Sequence, residues 1–363
     1  MHRLTSQFIF LLIFQLLLCC CGLSAQAAES PPPVIRHIAL LLPLQSDVFG
    51  RAADAFRQGF MTAAEFQPDL PIILYPTGDQ AADIVTAYRQ LAQAGAALVV
   101  GPLTRSAVTA LLDKPLPLPT LALNMPESRS ALPKNLYLFN LNVESEARQV
   151  AQLAFSAGHK SALTVTPNNA LGKRIQGAFS DEWLQLGGTL TERLSFEPAA
   201  GGHPKLRAAV AKTSADMLFL AADAEKARAV RPYLDSTLPT YATSLVYGDS
   251  GGAGRNLDLN QIRFVEMPWF LLPDHPAVMA YPRPANPMSV EMERFYALGI
   301  DAYRIAAPLL AGPGSGPVSP DSWPLDGVTG QITLEGQQFT RELTAAQFRQ
   351  GEAVATITTR VAP

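Results

Sequence analysis

The sequence has 363 residues, of which 48% are hydrophobic and 16% are charged. A chain of this length and composition buries a large core and is typical of about two domains, which excludes a disordered tether. Its formal net charge is −3 and it has no lysine and arginine cluster, so we expect no nucleic-acid partner and no general attraction to anionic lipid.

The first predicted element is an export signal. His2 and Arg3 precede a mostly apolar run over residues 8–18. This run is too short to cross a bilayer, which takes about 20 apolar residues. A basic start, a short apolar middle and small residues afterwards are typical of a signal peptide. The protein is therefore expected to work outside the cytoplasm.

Two processing sites compete at the end of this signal. Ala25-Gln26-Ala27 fits the small-x-small rule, which predicts a signal peptide over residues 1–27 and a soluble mature chain that begins at Ala28. Alternatively, residues 18–21 form a lipobox in which Cys21 becomes the lipidated first residue. The three cysteines of the chain are adjacent, at 19–21, so no disulfide is expected.

From residue 36 onward, short apolar runs alternate with stretches of helical period. The predicted strands are residues 38–44, 71–75, 97–100, 118–123, 162–165, 216–221 and 239–244. One face of the first predicted helix carries Phe49, Ala53, Phe56, Phe60 and Ala63. A second helix is predicted over residues 169–186, ending at Gly187-Gly188. This alternation predicts parallel sheets with helices on both faces.

The number of strands predicts two lobes, because one compact lobe of ordinary size would not hold them all. We therefore expect an α/β fold of two doubly wound parallel-sheet lobes joined by three crossings, the first near residues 140–145. Strands 38–43 and 97–100 should be adjacent in the first lobe. The expected division is a linker over 28–34, lobe 1 over 35–140, lobe 2 over 141–270, a return to lobe 1 over 271–322, and a segment over 323–363 that belongs with lobe 2. Ligands of open α/β sheets bind beyond the carboxyl ends of the strands, so two facing lobes predict a cleft.

The sequence contains no recognisable catalytic constellation. The histidines after the signal, at 37, 159, 203 and 275, have no metal-ligand spacing. No G-x-S-x-G elbow or S-x-x-K motif is present. The glycine-rich segments 248–254 and 311–317 lack the GK[ST] ending of a phosphate loop. We therefore predict a protein that is not an enzyme and that uses no metal and no cofactor.

Several separated segments resemble one superfamily. VVGPLTRSAV (99–108) ends a strand at Gly101-Pro102, and LALNMPES (121–128) ends the next strand at Asn124. Together with IALLLPLQSDVFG, NLYLFNL, ALGIDAY and LDGVTGQITLEGQQFTRELTAAQFRQGEAV, this order resembles the type I periplasmic binding protein superfamily over residues 35–356. Within it, LALNMPES and ALGKRIQGAFSDEWLQLGG resemble the carboxyl-terminal domain of the LppC/LpoA group, the penicillin-binding-protein activators.

The narrower resemblance implies a function. Members of the LppC/LpoA group are non-enzymatic outer-membrane proteins that bind a class A penicillin-binding protein, a peptidoglycan synthase, and stimulate it. The alternative is a periplasmic solute-binding protein that delivers an amino-acid-like small molecule to an ABC permease. In both cases the signal places the protein in the periplasm, anchored to the outer membrane if Cys21 is lipidated.

Polar residues at predicted strand ends are the candidates for the cleft. Amino-acid receptors of the superfamily hold the ligand carboxylate with backbone amides and hydroxyls of one lobe, and the ammonium with an acid of the other. The candidates here are Gln45, Ser46, Thr104, Arg105 and Asn124 in lobe 1, and Glu144, Asn169, Asp223 and Tyr247 in lobe 2. Each could instead cap a helix or satisfy a loop. Arg105 stands where a small hydroxyl residue would be expected.

Overall fold

The structure is a computed structural model. It describes residues 35–66, 70–128, 130–197, 203–248, 253–310 and 323–356, without the side chains of residues 253 and 255. The predicted signal, the cleavage site before Ala28 and the lipidation candidate Cys21 lie outside these ranges. Within them, no helix is both long enough and apolar enough to span a membrane.

The described residues form two sheets and their flanking helices. The strands are β1 (His37–Leu42), β2 (Ile72–Pro76), β3 (Ala96–Val100), β4 (Thr120–Ala122), β5 (Leu136–Phe139), β6 (Ser161–Pro167), β7 (Thr189–Phe196), β8 (Met217–Leu220), β9 (Thr240–Ala242), β10 (Arg263–Glu266), β11 (Leu325–Asp326), β12 (Gln331–Glu335), β13 (Gln338–Glu342), β14 (Thr344–Arg349) and β15 (Glu352–Ala355). The α-helices are α1 (Gly50–Phe66), α2 (Ala81–Gln93), α3 (Arg105–Leu111), α4 (Val143–Ser156), α5 (Ala170–Gln185), α6 (Pro204–Val210), α7 (Ala224–Val230), α8 (Pro268–Leu271), α9 (Pro276–Met279) and α10 (Val290–Leu310). Short 3-10 helices cover Arg231–Tyr233, Ser244–Val246 and Ala253–Leu259.

The first sheet has the order β11-β12-β13-β5-β4-β3-β1-β2. Strands β2 to β13 in this order run parallel, and β12 and β11 are antiparallel at the edge. β1 pairs with β3, as the sequence predicts. All six residues of β1 are buried, because its alternate side chains enter separate cores on the two faces of the sheet.

The second sheet has the order β15-β14-β10-β9-β8-β6-β7. β6 to β10 are parallel in the arrangement that β1 to β5 adopt in the first sheet, and β14 and β15 are antiparallel at the edge. In each sheet the order reverses beside the first strand, which is the doubly wound topology. The predicted fold class is confirmed.

Helices α1 and α10 cover one face of the first sheet and touch each other. The two glycines at their contact leave no room for a side chain: a Cβ on Gly59 would lie 1.8 Å from the Tyr296 carbonyl oxygen, and one on Gly299 would lie 2.1 Å from the Phe56 carbonyl oxygen. Ala53, Phe56, Phe60 and Ala63 of the predicted helical face are buried here, whereas Phe49 is 40% exposed. α10 thus lies in the first lobe, although β10 of the second sheet precedes it.

The chain passes between the sheets after β5, after β10 and after β13. The last passage corrects the expectation that residues 323–363 belong with lobe 2. Strands β11 to β13 join the first sheet, and only β14 and β15 join the second. The reason is the apolar face of the β12–β13 hairpin: Ile332 and Phe339 are buried in the first lobe's core, where Phe339 meets the ring of Phe139 edge-on at 6.4 Å.

Candidate functional site

The candidate cleft residues follow the carboxyl ends of the strands, where the topology of both sheets places a ligand crevice. The end of β3 passes very close to β1 at this point. Gly101 has φ +113°, and a Cβ there would lie 2.0 Å from the Leu41 carbonyl oxygen. Only glycine lets the chain turn here without moving β3 away from β1.

Four of the polar candidates in the first lobe have structural partners. The Ser46 hydroxyl accepts from the backbone N–H of Phe49 at 2.8 Å before α1 begins, and the Thr104 hydroxyl accepts from the N–H of Ala107 at 3.3 Å as the N-cap of α3. Asn124 organises its own turn, since its amide donates to the Leu103 carbonyl at 3.0 Å and accepts from the next N–H. Arg105 donates to the Pro126 carbonyl at 3.2 Å, while its buried Nε has no partner among the described residues. Gln45 is exposed.

The candidates in the second lobe are similarly engaged. Asn169 is the N-cap of α5, accepting from the Gly172 N–H at 2.7 Å, and Asp223 is the N-cap of α7, accepting from the Lys226 N–H at 2.9 Å. Glu144 forms an ion pair with Arg174 at 2.8 Å. The Tyr247 ring stacks near Phe264 and Phe348, and burial raises the pKa of its hydroxyl.

Thr104, Asn169 and Asp223 thus cap helices, and Ser46 binds an N–H just before α1 begins. A helix N-terminus has unpaired N–H groups, and a side-chain oxygen one residue before it satisfies them. Contact between any of these nine residues and a ligand stays a prediction. No group of histidine, cysteine, aspartate or glutamate side chains in the described part of the chain is arranged to hold a metal ion.

A second polar site, which the sequence did not predict, lies where the chain passes between the lobes. We call its five residues, Arg341, Glu146, Ser244, Arg294 and Glu266, the interlobe cluster. Arg294 on α10 holds both carboxylate oxygens of Glu266, the last residue of β10, at 2.5 and 3.5 Å. It also donates to the carbonyl oxygens of Ser244 at 3.0 Å and Tyr247 at 2.6 Å.

Glu146 continues this cluster from helix α4. Its Oε2 accepts from the hydroxyl of Ser244 at 2.7 Å and from the N–H of the same residue at 3.2 Å. Its Oε1 lies 3.9 Å from the Arg341 guanidinium, and the two side chains are each 4% exposed. Beside this pair is a cavity of about 10 Å³, lined by Asn140, Asn142, Ser145, Glu146, Gln338, Phe339, Thr340, Arg341 and Leu343.

In this cluster, burial and ion pairing shift the pKa values in opposite directions. Burial raises the pKa of Glu146 above its ordinary value, and the nearby Arg341 only partly offsets the rise. Burial likewise lowers the pKa of Arg341. For Arg294, burial acts to lower the pKa, but the contact with Glu266 outweighs it and the pKa is raised. The Arg294–Glu266 pair is therefore the better matched of the two.

One sequence signal could have identified Glu146. It lies three residues after Val143 and four before Val150, on the face of α4 that also buries Ala147 and Ala154. A charged residue on the apolar face of a helix needs a buried partner. The signal at Arg294 is weaker, because α10 is apolar on nearly every side.

Comparison with solved structures agrees with this architecture: the fold is that of the type I periplasmic binding proteins. A structure described as "a putative branched-chain amino acid ABC transporter from Chromobacterium violaceum ATCC 12472" is 35% identical, covers 86% of this chain and 99% of that one, and has a TM-score of 0.72. The LpoA (YraM) C-domain from Haemophilus influenzae, described as a regulator of PBP1A, has a TM-score of 0.73 over 88% of this chain and 100% of that one. Its identity is 24%, so this likeness shows the fold alone.

The chain belongs to the LppC family, as the sequence resemblance suggested. The model of the family described as "LppC putative lipoprotein" matches residues 33–199 and 205–351. Among curated relatives, the protein named Penicillin-binding protein activator LpoA from Klebsiella pneumoniae is 28% identical over 333 residues. This match covers 81% of the chain and 46% of that protein. The chain spans about half the length of the first curated relatives it matches.

Proposed function

We propose that this chain is a non-enzymatic envelope protein that binds and activates a class A penicillin-binding protein, a peptidoglycan synthase. The observation that carries the proposal is the match of the LppC family to both lobes, together with curated relatives named as penicillin-binding protein activators. An activator needs a surface for its partner and no catalytic groups of its own. This agrees with a sequence in which no nucleophile, base and oxyanion site come together.

The contacts of the strand-end residues in the first lobe support an activator over a solute receptor. A receptor for amino acids needs hydroxyl and amide groups that are available to the ligand carboxylate. The Asn124 amide already donates to the Leu103 carbonyl, and the Ser46 and Thr104 hydroxyls are held as acceptors at helix starts, so each hydroxyl keeps only its proton for a ligand. Arg105 adds a long cationic side chain to the same region.

The proposal includes the place of action. The predicted export signal puts the protein in the periplasm, and the family described as lipoproteins favours lipidation at Cys21 and anchoring to the outer membrane. Intact mass of the protein from its native envelope distinguishes this from cleavage before Ala28, because a diacylglyceryl group and an acyl group would add to the mass of a chain that begins at Cys21.

The function is tested by adding the purified protein to its cognate class A synthase and measuring glycan-chain synthesis from the lipid-linked precursor. We expect the rate to rise until the synthase is saturated, and the protein alone to show no transferase or hydrolase activity. Thr104→Ala and Asn124→Ala should stimulate nearly as well as the unmodified protein. An unchanged rate at saturation, with no measurable complex, would refute the proposal.

The alternative function, a solute receptor for an ABC transporter, is tested by ligand-induced stabilisation. A ligand that binds only the native state raises the free energy of unfolding by about 2.7 kcal/mol at 100 times its Kd. We expect no free amino acid to give a thermal shift of this size. Strong stabilisation by one amino acid, abolished by Thr104→Ala or Asn124→Ala, would replace the activator with a solute receptor serving an ABC permease.

A further inference from the structure

In the interlobe cluster, one lobe supplies the cationic groups and the other supplies the acidic groups. The first lobe supplies both guanidinium groups, Arg294 from α10 and Arg341 from β13. The second lobe supplies both carboxyl groups, Glu266 from β10 and Glu146 from α4. Each ion pair of the cluster therefore crosses from one lobe to the other.

Ser244 joins the two pairs into one unit. Its hydroxyl and N–H donate to Glu146, and its carbonyl accepts from Arg294. This residue follows β9 of the second sheet, so Arg294 is fixed to two separate strand ends of the second lobe, those of β9 and β10. The ring of Phe270, in α8, packs at 5.6 Å against that of Tyr247 and lies under the Arg294 guanidinium.

The passage after β13 has a further link. The Gln149 side chain of α4 donates to the Leu343 carbonyl at 2.8 Å and accepts from the Leu343 N–H at 3.1 Å. This pair holds the residue between β13 and β14 to the helix that carries Glu146. A rotation of one lobe against the other must therefore disturb polar contacts at more than one passage.

Burial decides how much such a rotation costs. Glu266 is completely buried and the Arg294 side chain is 9% exposed. Both groups are shielded from water in this arrangement, and breaking a buried pair so that one charge is left unpaired is strongly destabilising. The bidentate geometry adds directional constraint, because a small rotation moves both oxygens away from the guanidinium.

We propose that the interlobe cluster is a lock that holds the two lobes in one relative orientation, so that the protein is a rigid platform and does not open and close on a solute. The lock adds to the proposed function and depends on it only for its biological purpose. A fixed pair of lobes presents an unchanging surface to the synthase. The lock itself is a property of the isolated protein.

Distances between the lobes test the lock directly. The 363-residue chain, with Cys19, Cys20 and Cys21 replaced by serine, receives Met61→Cys on α1 and Leu184→Cys on α5, two exposed positions in different lobes. Spin labels at both sites report the interlobe distance by pulsed electron resonance. The unmodified cluster should give a single narrow distribution, and Arg294→Met should broaden it or move its mean by more than about 2 Å.

The matched control is Arg304→Met on the same helix. Arg304 pairs with Asp301 at 3.0 Å and donates to the Asp326 carbonyl, both within the first lobe, so this variant should keep the narrow distribution. Glu266→Gln, which keeps the side-chain size, should broaden it as Arg294→Met does, and serves if the arginine variant does not fold. If neither variant folds, the width of the unmodified protein's distance distribution tests the lock: a narrow distribution supports it and a broad one contradicts it.

A broad or two-peaked distribution in the unmodified protein would overturn the lock. So would an Arg294→Met distribution identical to that of the unmodified protein. These measurements contain no synthase, so narrow distances without synthase stimulation would leave the lock standing and refute the proposed function. Synthase stimulation together with a broad distance distribution would support the proposed function and overturn the lock.

Discussion

At the scale of single residues, Glu146 combines features that rarely occur together in a protein interior. The residue is 3% exposed, its carboxylate accepts a hydrogen bond from the Ser244 hydroxyl, and it lies 3.9 Å from the Arg341 guanidinium. Burial dominates, so the pKa of Glu146 is raised from the ordinary 4.5. The other charged groups that affect it are Glu266, which raises the pKa, and Arg294, which lowers it.

The raised pKa gives a pH-dependent prediction for Glu146→Gln. A carboxyl group with a raised pKa in the folded state contributes stability that is complete below its ordinary pKa and is lost as pH rises through the folded pKa. The free energy of unfolding of the unmodified protein, relative to the variant, should therefore fall by about 1.4 kcal/mol per pH unit within that window. Denaturant unfolding of both proteins between pH 4 and 8 measures it. A difference that increases with pH would mean that the carboxyl pKa is lowered.

At this scale the sequence indicates which polar residues follow strands, and their contact with a ligand stays a prediction. Most cleft candidates follow a predicted strand that the structure contains, because polar residues after apolar runs mark strand ends, whereas Glu144 follows β5, which was not predicted. The same positions are helix starts in a βα unit, so capping and ligand binding draw on the same residue types. Arg294 and Glu266 could not be paired from sequence, since residues 28 positions apart meet only when the two sheets are assembled.

At the scale of elements, helices α1 and α10 pack backbone against backbone in the first lobe. The two helices are separated by more than 200 residues, and their backbones touch at Gly59 and Gly299. Phe60 also meets Tyr303 edge-on at 5.2 Å. This packing holds α10, and with it Arg294, in a fixed position on the first sheet.

Gly59→Ala should destabilise the protein by at least about 2 kcal/mol, because the added Cβ forces the two helix backbones apart. The matched control is Gly177→Ala in the middle of α5, where a Cβ would meet no atom within 4 Å. That variant should gain about 0.5–1 kcal/mol, since alanine favours the helix. Thermal and denaturant unfolding measure both. Equal effects of the two substitutions would contradict the close packing.

Sequence patterns predicted several strands that have an apolar run, but the mostly buried strands β5 and β10 were not among them. β1, β3, β6 and β8 are predicted strands of this kind, and each is buried on nearly all sides. β7 was missed because it is an edge strand, and TERLS in its middle has two adjacent charges, a single apolar residue and mostly exposed side chains. The hairpins β12–β13 and β14–β15 were assigned no strands, because polar residues interrupt their apolar ones, as in QITLE and QFTRE.

At the scale of the whole molecule, the two lobes depend on the same late segment of the chain. Residues 325–342 add three strands to the first sheet, and residues 344–355 add two to the second. Asp301 fixes the segment to α10, since its buried carboxylate accepts from the N–H groups of Val328 at 3.1 Å and Thr329 at 2.8 Å. Damage to this segment therefore weakens both lobes.

We expect the protein to unfold in a single cooperative transition, although it has two lobes. The three passages and the interlobe cluster couple the cores, so neither lobe can open without breaking contacts of the other. Calorimetry tests this, because a two-state transition gives equal calorimetric and van't Hoff enthalpies. Two resolved transitions, or separate midpoints for probes placed in the two lobes, would contradict the coupling.

The late strands also determine when the protein can fold. β13 pairs with β5 across about 200 residues of sequence, and β14 pairs with β10 across nearly 80. A chain that leaves the ribosome amino end first has neither sheet complete until its last strands have appeared, and pairings this distant form slowly. Until β13 and β14 have been made, β5 and β10 each keep one edge without its neighbouring strand.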